Sequence, residues 1–303
     1  MASYIRALVD KGIASPPKWL PGNIHYETIM GSLAYGVASD SSDLDLYGFA
    51  IPPKDEVFPH LRGEIIGFGR QRKRFDQYQE HHLNDPSARG GKGQSYDVQI
   101  YSIVKYFHLC MECNPNMIDS MFTPDISTTH LTSVGVMVRE RRHLFLSKIA
   151  WHKFKGYAYS QLHKMASKTP QEGSKRWESV QKHGFDVKFA YHLVRLLLEI
   201  EQILMDHDLV LNRKDVREHL KAIRRGDISE AEIRAWASDK EAQLERVYTE
   251  SKLRHKPAEN EIKELLLECL EHHYGSLAAV FPKPDQTILA VREIRAVLDK
   301  FGV

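Results

Sequence analysis

The chain has 303 residues, 42% hydrophobic, 27% charged and 10% aromatic, with a formal net charge of +2, a globular composition with room for one large domain or two ordinary ones. No apolar run approaches membrane-spanning length, the first ten residues lack a signal-peptide core, and Cys110, Cys113 and Cys269 are too few for a disulfide framework, which excludes membrane-spanning and disulfide-stapled classes and leads us to expect a cytoplasmic protein. The charge is uneven: residues 148–195 carry eight Lys and two Arg against three acids, a local +7, so the remainder sums to −5, as fits either a polyanionic partner or a lysine-rich solvated surface.

In chain order, residues 3–11 read as a short helix ended by Gly12, and Ser15-Pro16-Pro17 and Pro21-Gly22 as a linker. Residues 24–30 read as a strand with Gly31-Ser32 at its exit, and residues 33–37 as the start of a helix. Asp40-Ser41-Ser42 is turn chemistry. Residues 44–51 form a second strand stopped by Pro52-Pro53, and residues 55–58 a short helix. From 63 to 93 the periodicity weakens around a basic knot, Arg70, Arg72, Lys73 and Arg74, which suits a flexible substrate-binding loop or a solvated hairpin. Residues 95–101 alternate as a third strand with Asp97, Gln99 and Tyr101 on one face. Helical spacing follows over 103–113, from 117, over 134–145, 149–167, 186–206, 214–224, 230–253, 259–274 and 291–301, with Ser229 and Glu232 placed as a helix cap. The expected fold class is α+β: a mixed sheet with flanking helices over residues 1–145, then an all-helical unit over 146–303.

The most informative segment is Gly31-Ser32 followed by Ser42-Asp43-Leu44-Asp45-Leu46. Alternation with Leu44 and Leu46 puts Asp43 and Asp45 on one strand face. Two adjacent carboxylates repel and are costly to desolvate, so they persist most easily where a divalent cation neutralises them. Asp97, the only acid of its strand, can supply a third carboxylate. Such a triad holds two Mg2+ or Mn2+ ions against a nucleoside triphosphate and activates an attacking hydroxyl. Gly31 lets backbone approach the phosphates, and the Ser32 hydroxyl can hold a phosphate oxygen. An isolated Asp-x-Asp mostly decorates loops; here it follows a strand, a Gly-Ser turn and a second turn in the order the chemistry needs.

In the helical half, Lys188, His192 and Arg195 fall at i, i+4 and i+7, opposite Leu193, Leu196, Leu197 and Ile200. The stripe is either the polar side of an amphipathic helix or a cationic wall for triphosphate or RNA phosphates. Lys155, Tyr159 and His163 make a rival stripe, and Tyr157 or Tyr159 can stack on a base. Cys110-x-x-Cys113 has zinc-like spacing but no second pair, and reads as buried thiols. His81-His82 and Glu271-His272-His273 read as solvent-facing.

The Gly-Ser and Asp-x-Asp pattern resembles the signature of the DNA polymerase β nucleotidyltransferase superfamily. Gly31-Ser-Leu-Ala-Tyr-Gly36, Ser42-Asp-Leu-Asp-Leu-Tyr-Gly48, Asp97-Val-Gln-Ile-Tyr101 and Asn114-Pro-Asn-Met117 are similar to the nucleotidyltransferases associated with bacterial RNA-repair operons, which also occur in phages. So are Phe154-Lys-Gly-Tyr-Ala-Tyr-Ser-Gln161, Lys188-Phe-Ala-Tyr-His-Leu-Val-Arg195 and Ala222-Ile-Arg-Arg-Gly-Asp227. The resemblance covers residues 24–236. It implies a bacterial or phage-infected host cytoplasm and a metal-dependent transfer of NMP from NTP to an acceptor hydroxyl, with catalytic and metal-binding Asp43, Asp45 and Asp97. Nucleotide-binding roles then fall to Gly31, Ser32, Lys155, Lys188, His192 and Arg195. The basic stretch favours an RNA 3′ end, tRNA-like, as acceptor. A protein or small-molecule acceptor, and a non-catalytic nucleotide or RNA sensor, remain open.

Overall fold

A computed structural model describes residues 3–37, 43–167, 170–277 and 286–301; the turn at Asp40-Ser41-Ser42 lies outside them. The elements run α1 (Tyr4–Asp10), β1 (Ile24–Ile29), β2 (Leu44–Ala50), α2 (Lys54–Val57), β3 (Gln77–Asp85), α3 (Ala88–Gly91), β4 (Gln94–Ser102), α4 (Ile103–Met111), α5 (Pro115–Met121) and β5 (Thr128–Leu131). Helices follow: α6 (Ser133–Glu140), α7 (Ile149–Ser167), α8 (Lys175–His183), α9 (Val187–Asp206), α10 (Lys214–Arg225), α11 (Glu230–Glu250), α12 (Glu259–Tyr274) and α13 (Gln286–Lys300). The α+β class expected from the sequence is the one observed. No described helix is long and apolar enough to cross a membrane.

The strands form one mixed sheet in the order β3-β4-β2-β1-β5, with β2 and β4 parallel and every other neighbour antiparallel. Period-2 alternation divides β2 and β4 between two cores. Leu46, Ala50, Tyr96, Val98 and Ile100 pack with Ile5, Leu8 and Leu20 on one face. Phe49 and Tyr101 enter the larger cluster on the other face, which continues through α4, α5, α9 and α12. That second face carries Asp45 and Asp97 at its other end. One apolar cluster therefore contains residues from both sides of residue 146.

Several elements depart from expectation for identifiable reasons. Residues 33–37, expected to start a helix, lie instead in successive turns that begin at Gly31: Gly31 and Gly36 take positive φ, and the Val37 N–H donates to the Ser32 carbonyl at 2.9 Å. β3 is an extra strand; lying at the sheet edge, it buries only Leu83 and Asp85 and so lacks apolar alternation. β5 and α8 are also additional to the expected elements, β5 being only four residues long and α8 having no buried stripe. Helix α12 returns to the sheet, where His273 Nδ1 lies 2.9 Å from His25 Nε2 and the Tyr274 hydroxyl donates to the Pro52 carbonyl. Burial holds the His25 imidazole down at about 4, so the pair is neutral near neutral pH. Ser229 and Glu232 form the expected capping box. Cys110 and Cys113 are buried, with thiol pKa values pushed up by burial, as structural thiols should be.

The sheet and the helices meet at a buried charge cluster. Arg195 of α9 donates to Asp119 of α5 at 2.6 Å and to Glu199 at 3.0 Å, and its guanidinium lies 4.1 Å from the ring centre of Tyr35. The Tyr35 hydroxyl donates to the same Asp119 oxygen at 2.6 Å. Two carboxylates share one cation in the dry interior, and burial raises both Asp119 and Glu199 above the ordinary carboxylate range. Removing one partner of such a cluster strands the others. Arg195→Met should therefore lower unfolding free energy by about 3–5 kcal/mol and speed amide exchange at Tyr35 and Val37. Urea denaturation with hydrogen exchange tests this; a loss below about 1 kcal/mol, the size of an exposed pair, would contradict it.

Candidate active site

The parallel register of β2 and β4 sets Asp45 directly opposite Asp97. Side chains at paired positions share a face, so sheet geometry alone brings these two carboxylates together. Asp43, just before β2, is exposed, and its charge reaches Asp45. The Asp45 carboxyl is raised from 3.8 to about 6, first by burial and then by the charge of Asp97, while Lys188 pulls it back down. Asp43, Asp45 and Asp97 thus stand against Lys188, a site of net negative charge.

Gly31 suits its position in two ways. Its φ of +69° lies in the left-handed region, and a Cβ there would sit 2.4 Å from Asp45 Oδ2. The turn holding Ser32 is thus seated on the carboxylate with no room for a side chain. Its far end is held by the helices: Arg224 donates to the Val37 carbonyl at 2.7 Å, and Tyr35 is locked by Asp119 and Arg195.

Asp97 has neighbours that the sequence did not reveal. Between Glu80 and Leu83 the β3–β4 register shifts, setting His81 and His82 against Asp97. His82 takes φ +57°, and its N–H donates to Asp97 Oδ1 at 2.8 Å. His81 Nδ1 lies 3.5 Å from the same oxygen. Bulges commonly re-aim groups beside active sites. The His82 side chain does face solvent, as expected, but the contact of the pair with Asp97 is new. Its only sequence signal is the alternation Gln77, Gln79, His81.

A cavity of about 710 Å³ opens between α7 and α9, lined by Lys153, Tyr157, Lys164, His192 and Arg195 among others. Asn114 donates to the Tyr157 hydroxyl at 3.1 Å, and Tyr157 is close enough to Tyr101 to help raise its phenol. Tyr157 thus links the cavity to the Tyr101 end of the sheet face whose other end bears the carboxylates. The His192 imidazole is held well below its ordinary value by burial and by the charges of Arg195, Lys188, Arg176 and Arg224. It is a neutral hydrogen-bonding group in a positive field.

The expected basic residues divide. Lys188 is near Asp45, and His192 and Arg195 border the cavity, although Arg195 is committed to Asp119 and Glu199. Lys155 points elsewhere: it pairs with Glu241 and Glu245 of α11, both at 2.8 Å, over the Trp151 ring. Lys153, two residues earlier and about 200° around the helix, takes the cavity side. The spacing Lys153, Tyr157, Ser160, Lys164 is the helical face that would have identified this wall.

The donor chemistry fits a hard divalent cation. Asp45 and Asp97 offer paired carboxylate oxygens whose mutual repulsion such an ion would relieve. No three His, Cys, Asp or Glu side chains among the described residues form a cage. Magnesium characteristically binds through one or two carboxylates with substrate phosphates and water completing its shell. Because the folded chain holds the Asp45 proton more tightly than the unfolded chain, stability from this site is present below about pH 4 and is lost as pH rises through about 6. Near neutral pH in chelator, Asp45→Asn should therefore raise unfolding free energy by about 1–3 kcal/mol. Magnesium should stabilise the wild type and not the variant. Denaturation with and without magnesium measures both, and a variant less stable than wild type in chelator would contradict the site.

A family model described as RNA repair pathway DNA polymerase beta family matches residues 13–274. No curated protein matches the chain. The match spans the sheet, the carboxylate pair and the helices that carry the cavity, and on it the chain belongs to the RNA repair pathway DNA polymerase beta family.

Proposed function

We propose that the protein transfers a nucleoside monophosphate from an NTP to the terminal hydroxyl of an RNA, tRNA-like in its 3′ end, and releases pyrophosphate. The register pairing of Asp45 with Asp97, in a chain that also holds a cationic cavity between α7 and α9, supports this reading. Asp43, Asp45 and Asp97 would hold two divalent ions, Mg2+ or Mn2+, which when bound supply charge stabilisation at the α-phosphate and the leaving pyrophosphate. Gly31 and Ser32 position the triphosphate against Asp45. Lys188 offsets its negative charge, with His192 and the Arg195 environment behind it. Lys153 and Lys164 add to the cavity's positive side, and Tyr157 offers a stacking face for a base. Lys155 stays with its α11 partners.

Asp97 is suited to orient the acceptor hydroxyl and take its proton. The His82 N–H fixes one carboxylate oxygen, and His81 stands 3.5 Å away as the next proton acceptor. The acceptor oxygen bonds to the α-phosphorus as the bond to the bridging β-phosphate oxygen breaks. Tyr47 and Gln99, opposite one another in the next register pair on this face, support it; burial raises the Tyr47 phenol, keeping it a neutral donor.

Incubation with magnesium, total tRNA and each α-labelled NTP should label RNA, and Asp97→Asn should lower the rate by about 10³-fold or more. Label on protein with clean RNA would redirect the reading to protein modification. An unchanged biological effect in Asp45→Ala would support a sensor instead. Lys188→Ala should raise the KM for NTP more than it lowers kcat, because its charge acts on the bound triphosphate in ground and transition states alike.

A further inference from the structure

Outside the carboxylate site, the most unusual surface is the segment preceding β3. Arg70, Arg72, Lys73 and Arg74 are all exposed, and none makes an ion pair among the described residues. Just ahead of them Ile65, Ile66 and Phe68 are 65%, 70% and 75% exposed, an apolar tip that the core does not need. The tip is built: the Gln71 side-chain amide donates to the carbonyls of Ile65 at 3.0 Å and Phe68 at 2.8 Å, and its oxygen faces the Gly67 N–H. Cations beside an outward aromatic are the pattern of a single-strand nucleic-acid surface, where phosphates meet charge and bases meet rings.

A groove of about 650 Å³ runs from Lys73 and Arg74 past Trp19, Phe75 and Lys105 to Gln77. Glu56 on its wall is taken by Arg62 at 2.7 Å, which leaves Asp76 as its remaining acid. From Gln77 a row of hydrogen-bonded side chains leads to the reaction centre. Gln77 donates to Gln79 at 3.0 Å, Gln79 meets His81 at 2.6 Å, and His81 lies 3.5 Å from Asp97. Gln77 to His81 along a strand is about 13 Å. The cations thus stand a few nucleotides upstream of the carboxylate that orients the acceptor hydroxyl.

We infer that the acceptor RNA enters along this path, on the strand side of the molecule and not along the basic helices. Its single-stranded 3′ segment lies on β3, with upstream phosphates on Arg70, Arg72, Lys73 and Arg74 and a base against Phe68. The inference rests on the nucleotidyl-transfer reading for its destination at Asp97, but binding is measured without turnover. Continuity with the carboxylate site is what favours RNA over an anionic membrane for this basic, apolar-tipped loop.

Fluorescence anisotropy of a short fluorescein-labelled single-stranded RNA tests it, with the full chain titrated at several salt concentrations. The quadruple variant Arg70→Ser, Arg72→Ser, Lys73→Ser, Arg74→Ser alters exposed, unpaired side chains, and an unchanged thermal midpoint verifies its fold. It should bind RNA at least about tenfold more weakly, with the salt slope reduced by about 0.7 for each phosphate that is no longer neutralised. Phe68→Ser should weaken binding without changing that slope. Lys153→Ala with Lys164→Ala should leave RNA affinity nearly intact. Wild-type affinity and slope in the quadruple variant would overturn the path, as would RNA binding abolished solely in the Lys153 and Lys164 variant. Binding to phosphatidylglycerol vesicles in place of RNA would also overturn it. RNA bound by wild type through these cations but never labelled would uphold the path while removing the transfer reaction from the proposed function.

Discussion

Arg195 is the residue on which the relation between sheet and helices depends. It lies in the dry interior between Asp119 and Glu199 and under the ring of Tyr35. Tyr35 belongs to the same turn as Gly31 and Ser32. A cation on α9 therefore fixes the turn that is packed on Asp45, and Arg224 on α10 holds the end of that turn through Val37. The helices do more than cover an apolar sheet face: they set the position of the backbone at the carboxylates. Buried charges are costly to desolvate, and their value here is in specifying one arrangement. Aliphatic packing tolerates small shifts that a shared carboxylate oxygen does not.

The same architecture sets groups of opposite charge preference on the sheet and on α9, with the charge of Lys188 acting on both. On the sheet, burial and Asp97 raise Asp45. On the helices, burial and four cations lower His192. Each group is electrostatically penalised where it stands. On the proposed reading, a divalent cation with a triphosphate has the charge distribution that relieves both. The edge strand β3 contributes a third property, an open polar margin leading away from Asp97. An edge strand is ordinarily a liability because its backbone is unpaired; here its bulge and basic approach make it a surface of distinct chemistry.

Much of the fold was legible. The strands at 24–29, 44–50 and 94–102 each bury apolar side chains in a regular pattern, and the long helices carry apolar stripes that no proline interrupts. β3 was not legible, because an edge strand facing a polar site has no reason to alternate. Residues 33–37 read as a helix start because Leu33, Ala34 and Tyr35 favour one; Asp119 and Arg195, far along the chain, overrule that preference by capturing Tyr35. Lys155 and Lys153 lie on one helix with similar surroundings in sequence. Only the packing of α7 against α9 on one side and α11 on the other assigns Lys153 to the cavity and Lys155 to Glu241 and Glu245.

The sequence by itself carried the resemblance to the family that the match over residues 13–274 shows. Carboxylates spaced at strand period after a Gly-Ser turn restrict the chemistry through short-range geometry, and short-range geometry is written locally. The tertiary structure decided which of the candidate residues stand together. Asp97 lies opposite Asp45 because two strands, separated by the whole of β3, run parallel in one register. His81 and His82 reach Asp97 through a bulge that exists only in that pairing. Arg195, indistinguishable in sequence from a phosphate-binding arginine, becomes an internal counter-ion because folding surrounds it with acids. A side chain's type is local information; its partners, and hence its charge state and role, are set by contacts between distant segments.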